Sequence, residues 1–303
     1  MLLNLYILGA KSALPVRHRN PSAHLLSACE RSFLIDCGEG TQMQLQKFNL
    51  KSSKIEKIFI THLHGDHYFG LVGLISSFHL YRRLAPLEVY GPPMLKEIIE
   101  IQLKASNTHL MFELIFKEIP DGFSGIIFED DRFEIKTFPL NHRIQTQGYL
   151  FIQKSGLRKL KPEFVTNNKV PISVFNLIKN GEDFIDEKGN VLKNADITLD
   201  PVPSKSYAYC SDTVFDTSIV KYIQNVDLLY HEATFAEDNA LLAKDKFHST
   251  AKQAAEIANF ANVDKLIIGH FSTRYKNVEV LLEEAKTVFQ NTILAQEGLM
   301  IEI

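Results

Sequence analysis

Ile55-Glu56-Lys57-Ile58-Phe59-Ile60-Thr61-His62-Leu63-His64-Gly65-Asp66-His67 is the stretch from which the fold of this chain is read. Its first six residues form a short, mostly apolar run with the pattern of a buried strand. The remainder carries three imidazoles and one carboxylate, His62 to His67, where that strand runs out into a loop. On extended backbone, residues two apart project to the same side, so His62 and His64 can chelate one ion. Gly65 lets the chain turn, after which Asp66 and His67 are adjacent and can face a second ion. Borderline cations such as zinc favour this mixture of imidazole and carboxylate. A lone histidine on an apolar face is more often a core residue than a ligand. Four potential ligands in the order H-x-H-x-D-H reverse that expectation and mark a metal site.

A pair of ions needs roughly seven or eight ligands, one of them bridging, which is more than this loop supplies. His142 follows a strand-like segment, Phe133 to Leu140. Asp212 ends another, Ser206 to Ser211, and His270 ends a third, Lys265 to Gly269. Each lies just past the carboxyl end of an expected strand, where α/β layouts place their sites. Singly each is a weak candidate; four strand ends delivering His and Asp form a pattern.

That order, His62-x-His64-x-Asp66-His67 followed by His142, Asp212 and His270, resembles the metallo-β-lactamase superfamily. Three further matches resemble one family within it, ribonuclease Z, which trims the 3′ end of precursor tRNA. His231-Glu232-Ala233-Thr234 is similar to its H-E-A-T motif and His248-Ser249-Thr250 to its H-S-T motif. Pro15-Val16-Arg17-His18-Arg19-Asn20 resembles its P-x-K-x-R-N loop, with Arg17 where Lys is usual.

The resemblance implies an α/β fold, a four-layer αβ/βα sandwich with a dinuclear site at its edge. It implies a single such domain over 1–303, with a tRNA-binding exosite arm inserted at about 153–180. The family's arm has a Gly-Pro-rich tip, whereas here the tip reads Val170-Pro171-Ile172-Ser173. It further implies two Zn2+ per subunit, one held by His62, His64 and His142, the other by Asp66, His67 and His270, with Asp212 bridging. Metal-activated hydroxide would attack the phosphodiester, with Asp66 as general base and His248, oriented by Glu232, as general acid. The products would be a tRNA 3′-hydroxyl and a trailer 5′-phosphate. His231 is open to a structural or a catalytic reading. Arg17, Arg19 and Arg274 are candidate phosphate contacts, since guanidinium suits bidentate phosphate binding. A homodimer, in which one subunit's arm serves its partner's active site, is also implied.

Composition bounds these expectations. The chain has 303 residues, 45% of them apolar, and shows neither a long apolar run nor a charged-then-apolar leader. Neither a membrane span nor a secretory signal is therefore expected. Cys29, Cys37 and Cys210 show no C-x-x-C spacing, which suits a reducing cytoplasm; Cys210 reads as a small buried hydrophobe. The net charge of −3 argues mildly against a nucleic-acid partner, but local charge matters more. Lys154, Arg158, Lys159 and Lys161 form one basic cluster, Arg17, His18 and Arg19 a second, and Tyr81-Arg82-Arg83 a third. Charge runs are usually solvated faces.

Helical periodicity is expected over 69–83, 93–105, 250–260 and 278–289. An opening strand is expected at 2–9, two more over 24–37, and several antiparallel strands over 112–140, turning at Asp121-Gly122 and Asp130-Asp131. The two halves could be a diverged β-α duplication. Three function classes follow. An RNA endonuclease needs the H-E-A-T and H-S-T motifs and the arm. A small-molecule hydrolase of the superfamily shares the metal ligands but needs neither the arm nor the Glu232 and His248 pair. A non-catalytic RNA-binding scaffold would not need to keep every ligand.

Overall fold

The computed structural model describes residues 2–14, 19–168 and 170–303. Arg17 and His18, expected in the basic N-terminal loop, lie outside the described residues. The strands of the first half are β1 (Asn4–Gly9), β2 (Ala23–Ala28), β3 (Arg31–Ile35), β4 (Ile55–Phe59), β5 (Leu87–Gly91), β6 (Leu114–Glu118), β7 (Gly125–Glu129), β8 (Phe133–Leu140) and β9 (Thr146–Gln153). Four two-residue strands follow: β10 (Lys159–Leu160), β11 (Phe184–Ile185), β12 (Val191–Leu192) and β13 (Thr198–Leu199). The last are β14 (Lys205–Cys210), β15 (Leu228–Glu232), β16 (Lys265–Gly269), β17 (Thr292–Leu294) and β18 (Met300–Glu302).

Two seven-stranded sheets form, ordered β18-β1-β2-β3-β4-β5-β6 and β17-β16-β15-β14-β9-β8-β7. In the first, β18-β1, β1-β2 and β2-β3 pair antiparallel and β3 through β6 pair parallel. In the second, β14 through β17 pair parallel. Strands buried on both faces need continuous apolar runs, as Leu34-Ile35 and Leu266-Ile267-Ile268 provide. Between the sheets lies an aromatic core. Phe33 and Phe59 of the first sheet meet Phe151 of the second, with ring centroids 6.2 and 5.1 Å apart. Buried Tyr207 and His24 join the sheets by a 2.7 Å hydrogen bond between the phenol and Nδ1. The outer face of the first sheet packs Leu74, Ile75, Phe78, Leu95 and Ile99 of the helices Leu71–Leu80 and Met94–Ala105. The helices Ala251–Phe260 and Glu279–Lys286 pack on β15, β16 and β17, the former through small residues, Ala254, Ala255 and Ala258. Helix, sheet, sheet, helix is the expected layering.

One expectation in the first half fails. The segment 112–140 is not a run of paired antiparallel strands, because β6 joins β5 in the first sheet and β7 joins β8 in the second. The turn at Asp121-Gly122, with Gly122 at φ +68°, therefore carries the chain from one sheet to the other. Alternating apolar residues mark both strands, and alternation does not say which sheet each completes. The turn at Asp130 forms as expected, its carboxylate accepting from the amides of Arg132 (2.9 Å) and Phe133 (2.8 Å).

The chain groups into two compact units, 1–128 with 135–151 and 206–303, and a smaller one of 129–134 with 152–205. The segment expected as the arm, about 153–180, falls within the smaller unit, which continues to Lys205. It has a core of its own: Phe164, Val170, Ile178, Phe184 and Ile197. The ribbons β10-β13 and β11-β12 are its only sheets among the described residues. Among the described residues no helix is long and apolar enough to cross a membrane.

Candidate metal centre

The site stands at strand ends of the larger unit. β4 ends at Phe59 and Thr61 to His64 follow it; β14 ends two residues before Asp212, and β16 one before His270. Asp36, one residue past β3, joins them. Asp36, Asp212 and His270 all have left-handed backbone, at φ 55°, 37° and 59°. For residues other than glycine that conformation is costly, and it recurs where surrounding structure holds a functional side chain in place. Close backbone approach is needed too: a Cβ on Gly70 would lie 2.1 Å from the Gly38 carbonyl oxygen.

His62, His64, His142 and Asp212 point one donor each into one cluster. His62 Nε2 is 3.0 Å from His64 Nδ1, and His142 Nε2 is 3.3 Å from it. Asp66, His67 and His270 converge in a second cluster. There His67 Nε2 and His270 Nε2 are 3.4 Å apart, and Asp66 Oδ2 is 3.6 and 3.4 Å from them. The two oxygens of Asp212 face opposite ways. Oδ2 lies 3.6 Å from His62 Nε2 and 3.8 Å from His142 Nε2, while Oδ1 lies 3.5 Å from His67 Nε2 and 3.2 Å from His270 Nε2. Donors at the 2.0–2.1 Å bond lengths of tetrahedral zinc stand about 3.3–3.4 Å from each other. The observed spacings match this, so the residues fit two ions with one carboxylate shared.

At His67, His62, His270 and His142 the other ring nitrogen, Nδ1, is taken up in a way that leaves Nε2 free. His67 Nδ1 donates to Asp36 Oδ2 at 2.7 Å. His62 Nδ1 lies 2.9 Å from the Thr61 hydroxyl, which in turn donates to Asp36 at 3.0 Å. His270 Nδ1 lies 2.9 Å from the Thr234 hydroxyl, which donates to Glu232 Oε2 at 2.6 Å. His142 Nδ1 donates to the Phe247 carbonyl at 2.8 Å. Such partners fix the tautomer and the ring plane of a ligating histidine. Burial holds the His62 imidazolium well below its ordinary range. At His67 burial acts the same way, but Asp36, Asp212 and Asp66 outweigh it and push the pKa up to about 10. So many buried carboxylates demand a positive charge, from a proton or from a metal ion.

Beside the clusters, His248 Nδ1 donates to Glu232 Oε1 at 2.7 Å. Glu232, fully buried, also accepts from the Thr213 amide at 2.9 Å. Burial opposes charge on His248, yet the Glu232 carboxylate prevails and raises its pKa to about 9. Asp212, Glu232, His248 and His270 also converge as a third donor group. The Glu232 oxygens, however, are spent on His248, Thr213 and Thr234, and the Asp212 oxygens already face the first two clusters. His231 turns away, its Nδ1 donating to the Glu232 carbonyl at 2.7 Å. A cavity of about 590 Å³ opens onto His64, Asp66, His142, Asp212, His248 and His270.

The structure thus brings together all seven expected ligands with Glu232 and His248. Asp36, Thr61 and Thr234 were missed as orienting groups, as were Arg143 and Lys246, which also line the cavity. The adjacency of Thr61 to His62 and the H-E-A-T Thr were the available signals. Of the expected substrate contacts, Arg19 donates to the Lys276 carbonyl at 3.3 Å and Arg274 lies 5.8 Å over the Phe235 ring. Lys154 pairs with Glu129 at 2.7 Å, Arg158 with Asp200 at 2.7 Å, and Lys161 donates to the Asp196 carbonyl at 2.7 Å. Lys159 is exposed. Cys37 and Cys210 are buried and no cysteine is in a disulfide.

Residues 3–155 match a family model described as anti-Pycsar protein Apyc1. The whole chain is similar to the metallo-β-lactamase fold protein YhfI of Bacillus subtilis, with TM-score 0.68, 18% identity and 100% of both chains covered. Two facing mixed sheets with histidines and aspartates at their strand ends thus define a metallo-β-lactamase-fold protein. Human tRNase Z, short form, is similar at TM-score 0.72 and 29% identity, covering 98% of each chain. The ribonuclease Z of Bacteroides fragilis is 45% identical over 299 residues, 99% of this chain and 98% of the relative. The chain belongs to the ribonuclease Z family, and its residues 3–155 also place it in the family that the Apyc1 model describes.

Proposed function

We propose that the protein is a zinc-dependent endoribonuclease that cuts precursor tRNA at its 3′ end and removes the trailer. The observation that carries this reading is the Glu232–His248 pair set 2.7 Å apart beside the two donor clusters. His62, His64 and His142 would hold one zinc, Asp66, His67 and His270 the other, with Asp212 shared. When bound, the pair supplies an activated water near neutral pH and neutralises charge developing on the phosphoryl oxygens.

The chain's own residues then have distinct tasks. Asp66, whose Oδ2 is fixed by the Ala13 amide at 2.7 Å, takes up the proton of the attacking water. His248 gives a proton from Nε2 to the leaving 3′ oxygen of the tRNA, because Glu232 holds Nδ1 and favours the imidazolium. Microscopically this leaves a 3′-hydroxyl on the tRNA and a 5′-phosphate on the trailer. Arg17, Arg19 and Arg274, with Lys154, Arg158, Lys159 and Lys161 of the smaller unit, contact RNA phosphates. The smaller unit grips the tRNA away from the cut. A homodimer in the cytoplasm completes the reading, with one subunit's arm serving its partner.

The alternative is a small-molecule hydrolase of the same superfamily, such as a phosphodiesterase, which would share the donor clusters of the site. Cleavage of a 3′-extended precursor tRNA beside a small chromogenic phosphodiester separates the two. A single cut near the end of the acceptor stem, lost on chelation and in Asp66→Ala, supports the endonuclease. Turnover of the small ester alone supports the alternative.

A further inference from the structure

Lys11, just past β1, is only 3% exposed. Holding a cation against protein is costly unless a counter-charge or a ligand compensates it. Burial, and then the charge of Arg19, lowers its pKa to about 8. Lys11 shares a cavity of about 300 Å³ with Arg19, Lys47, Phe271 and Glu297. Three of these residues are cationic and one is acidic. The acid is already engaged: Glu297 accepts from the Asn20 amide, from Asn20 Nδ2 at 2.9 Å and from Gln44 Nε2 at 2.8 Å. The cavity therefore sets three cationic side chains against one carboxylate, whose oxygens are already held by neutral donors.

Its position relates it to the metal centre. Lys11 and Phe271 form a β-bridge. Their chain neighbours Ser12, His270 and Ser272 line the cavity of the metal centre, while Lys11 and Phe271 line this one. Adjacent residues of extended backbone face opposite sides, so two segments serve two cavities.

We propose that this cavity is a phosphate subsite in which Lys11, Arg19 and Lys47 hold a phosphoryl group other than the one being cleaved. Guanidinium and two ammoniums around one concavity suit a phosphate oxygen cluster. The phosphoryl group belongs either to the RNA chain, which rests on the endonuclease reading, or to free phosphate.

The test compares zinc-loaded wild type with Lys11→Met, which keeps the aliphatic stem and removes the charge. Bound inorganic phosphate per chain is counted by equilibrium dialysis, and the melting temperature verifies folding. The proposal expects Lys11→Met to lose one phosphate and Lys11→Arg to retain it. A rise of about tenfold in KM for 3′-extended precursor, against less than about twofold for the small chromogenic phosphodiester, assigns the site to RNA. Loss of the phosphate with both substrates cleaved as before assigns it to free phosphate. Equal phosphate counts in folded wild type and Lys11→Met overturn the proposal. A wild type that cuts no precursor overturns the endonuclease reading instead, and the phosphate count still decides this one.

Discussion

The metal centre and the smaller unit of 129–134 with 152–205 are built to different tolerances. At the candidate metal centre, four histidines of the donor clusters have their second nitrogen engaged by Asp36, Thr61, Thr234 or a carbonyl, and the backbone at Asp212 and His270 is held left-handed. The smaller unit rests on five buried apolar side chains and two-residue strands, and its cations are exposed or tied to acids, a hydroxyl and carbonyls of the same unit. Donors that must share an ion have to be over-determined by their surroundings. Cations that meet phosphates need only charge and reach, because that attraction is long-ranged and insensitive to sequence.

Perturbing the two regions should therefore give effects of different size and kind. Asp212→Ala, which removes an oxygen from both clusters, should lower precursor cleavage by about a thousandfold or more and strip metal from the protein. Elemental analysis showing two ions retained would refute the shared carboxylate. His248→Ala should lower the cleavage rate by about 10²–10⁴ while bound metal stays nearly unchanged. If metal content collapsed with it, His248 would be a ligand and the division of roles would be wrong. Asp36→Asn, remote from substrate, should weaken metal affinity by about 10–100-fold, read by competition with a chelator. An unchanged affinity would mean that His67 is oriented by packing alone.

In the smaller unit the same kind of change should spare the metal. Phe164→Ala, by opening its core, should destabilise that unit by about 3–5 kcal/mol. Precursor KM should rise while metal content and small-ester turnover hold; loss of metal would show that the units are not independent in function. Lys159→Ala should have the smallest effect, under about threefold in affinity with the slope of log affinity against log salt reduced by about one. A salt slope equal to that of wild type removes Lys159 from the interface.

Much of the centre was legible because ligand chemistry is written in residue type and spacing. His62, His64, Asp66 and His67 share one short segment, extended to His64 and helical over Gly65–Tyr68, which leaves few ways to arrange them. His142, Asp212 and His270 were legible as residues just past apolar runs. Helix boundaries were also close: the helix Ala251–Phe260 begins at Thr250, whose hydroxyl accepts from the Gln253 amide in a capping box. The partner sheet of β6 and β7 was not legible, since alternation is local and sheet assignment is not. Nor was Asp36, a single acid after an apolar strand, whose partners His67 and Tyr209 lie 31 and 173 residues away.

By itself, then, the sequence determined the chemistry available to this protein: seven candidate metal donors, the glutamate–histidine pair and the strands that carry them, because residue identity and short-range periodicity are local properties. Tertiary structure alone decided that Asp212 turns one oxygen to each cluster, that Glu232 serves both His248 and, through Thr234, His270, and that Lys11 is buried beside Arg19 and Lys47. These are relations between segments that only packing brings within hydrogen-bond or Coulomb range, and no pattern within a single segment encodes them.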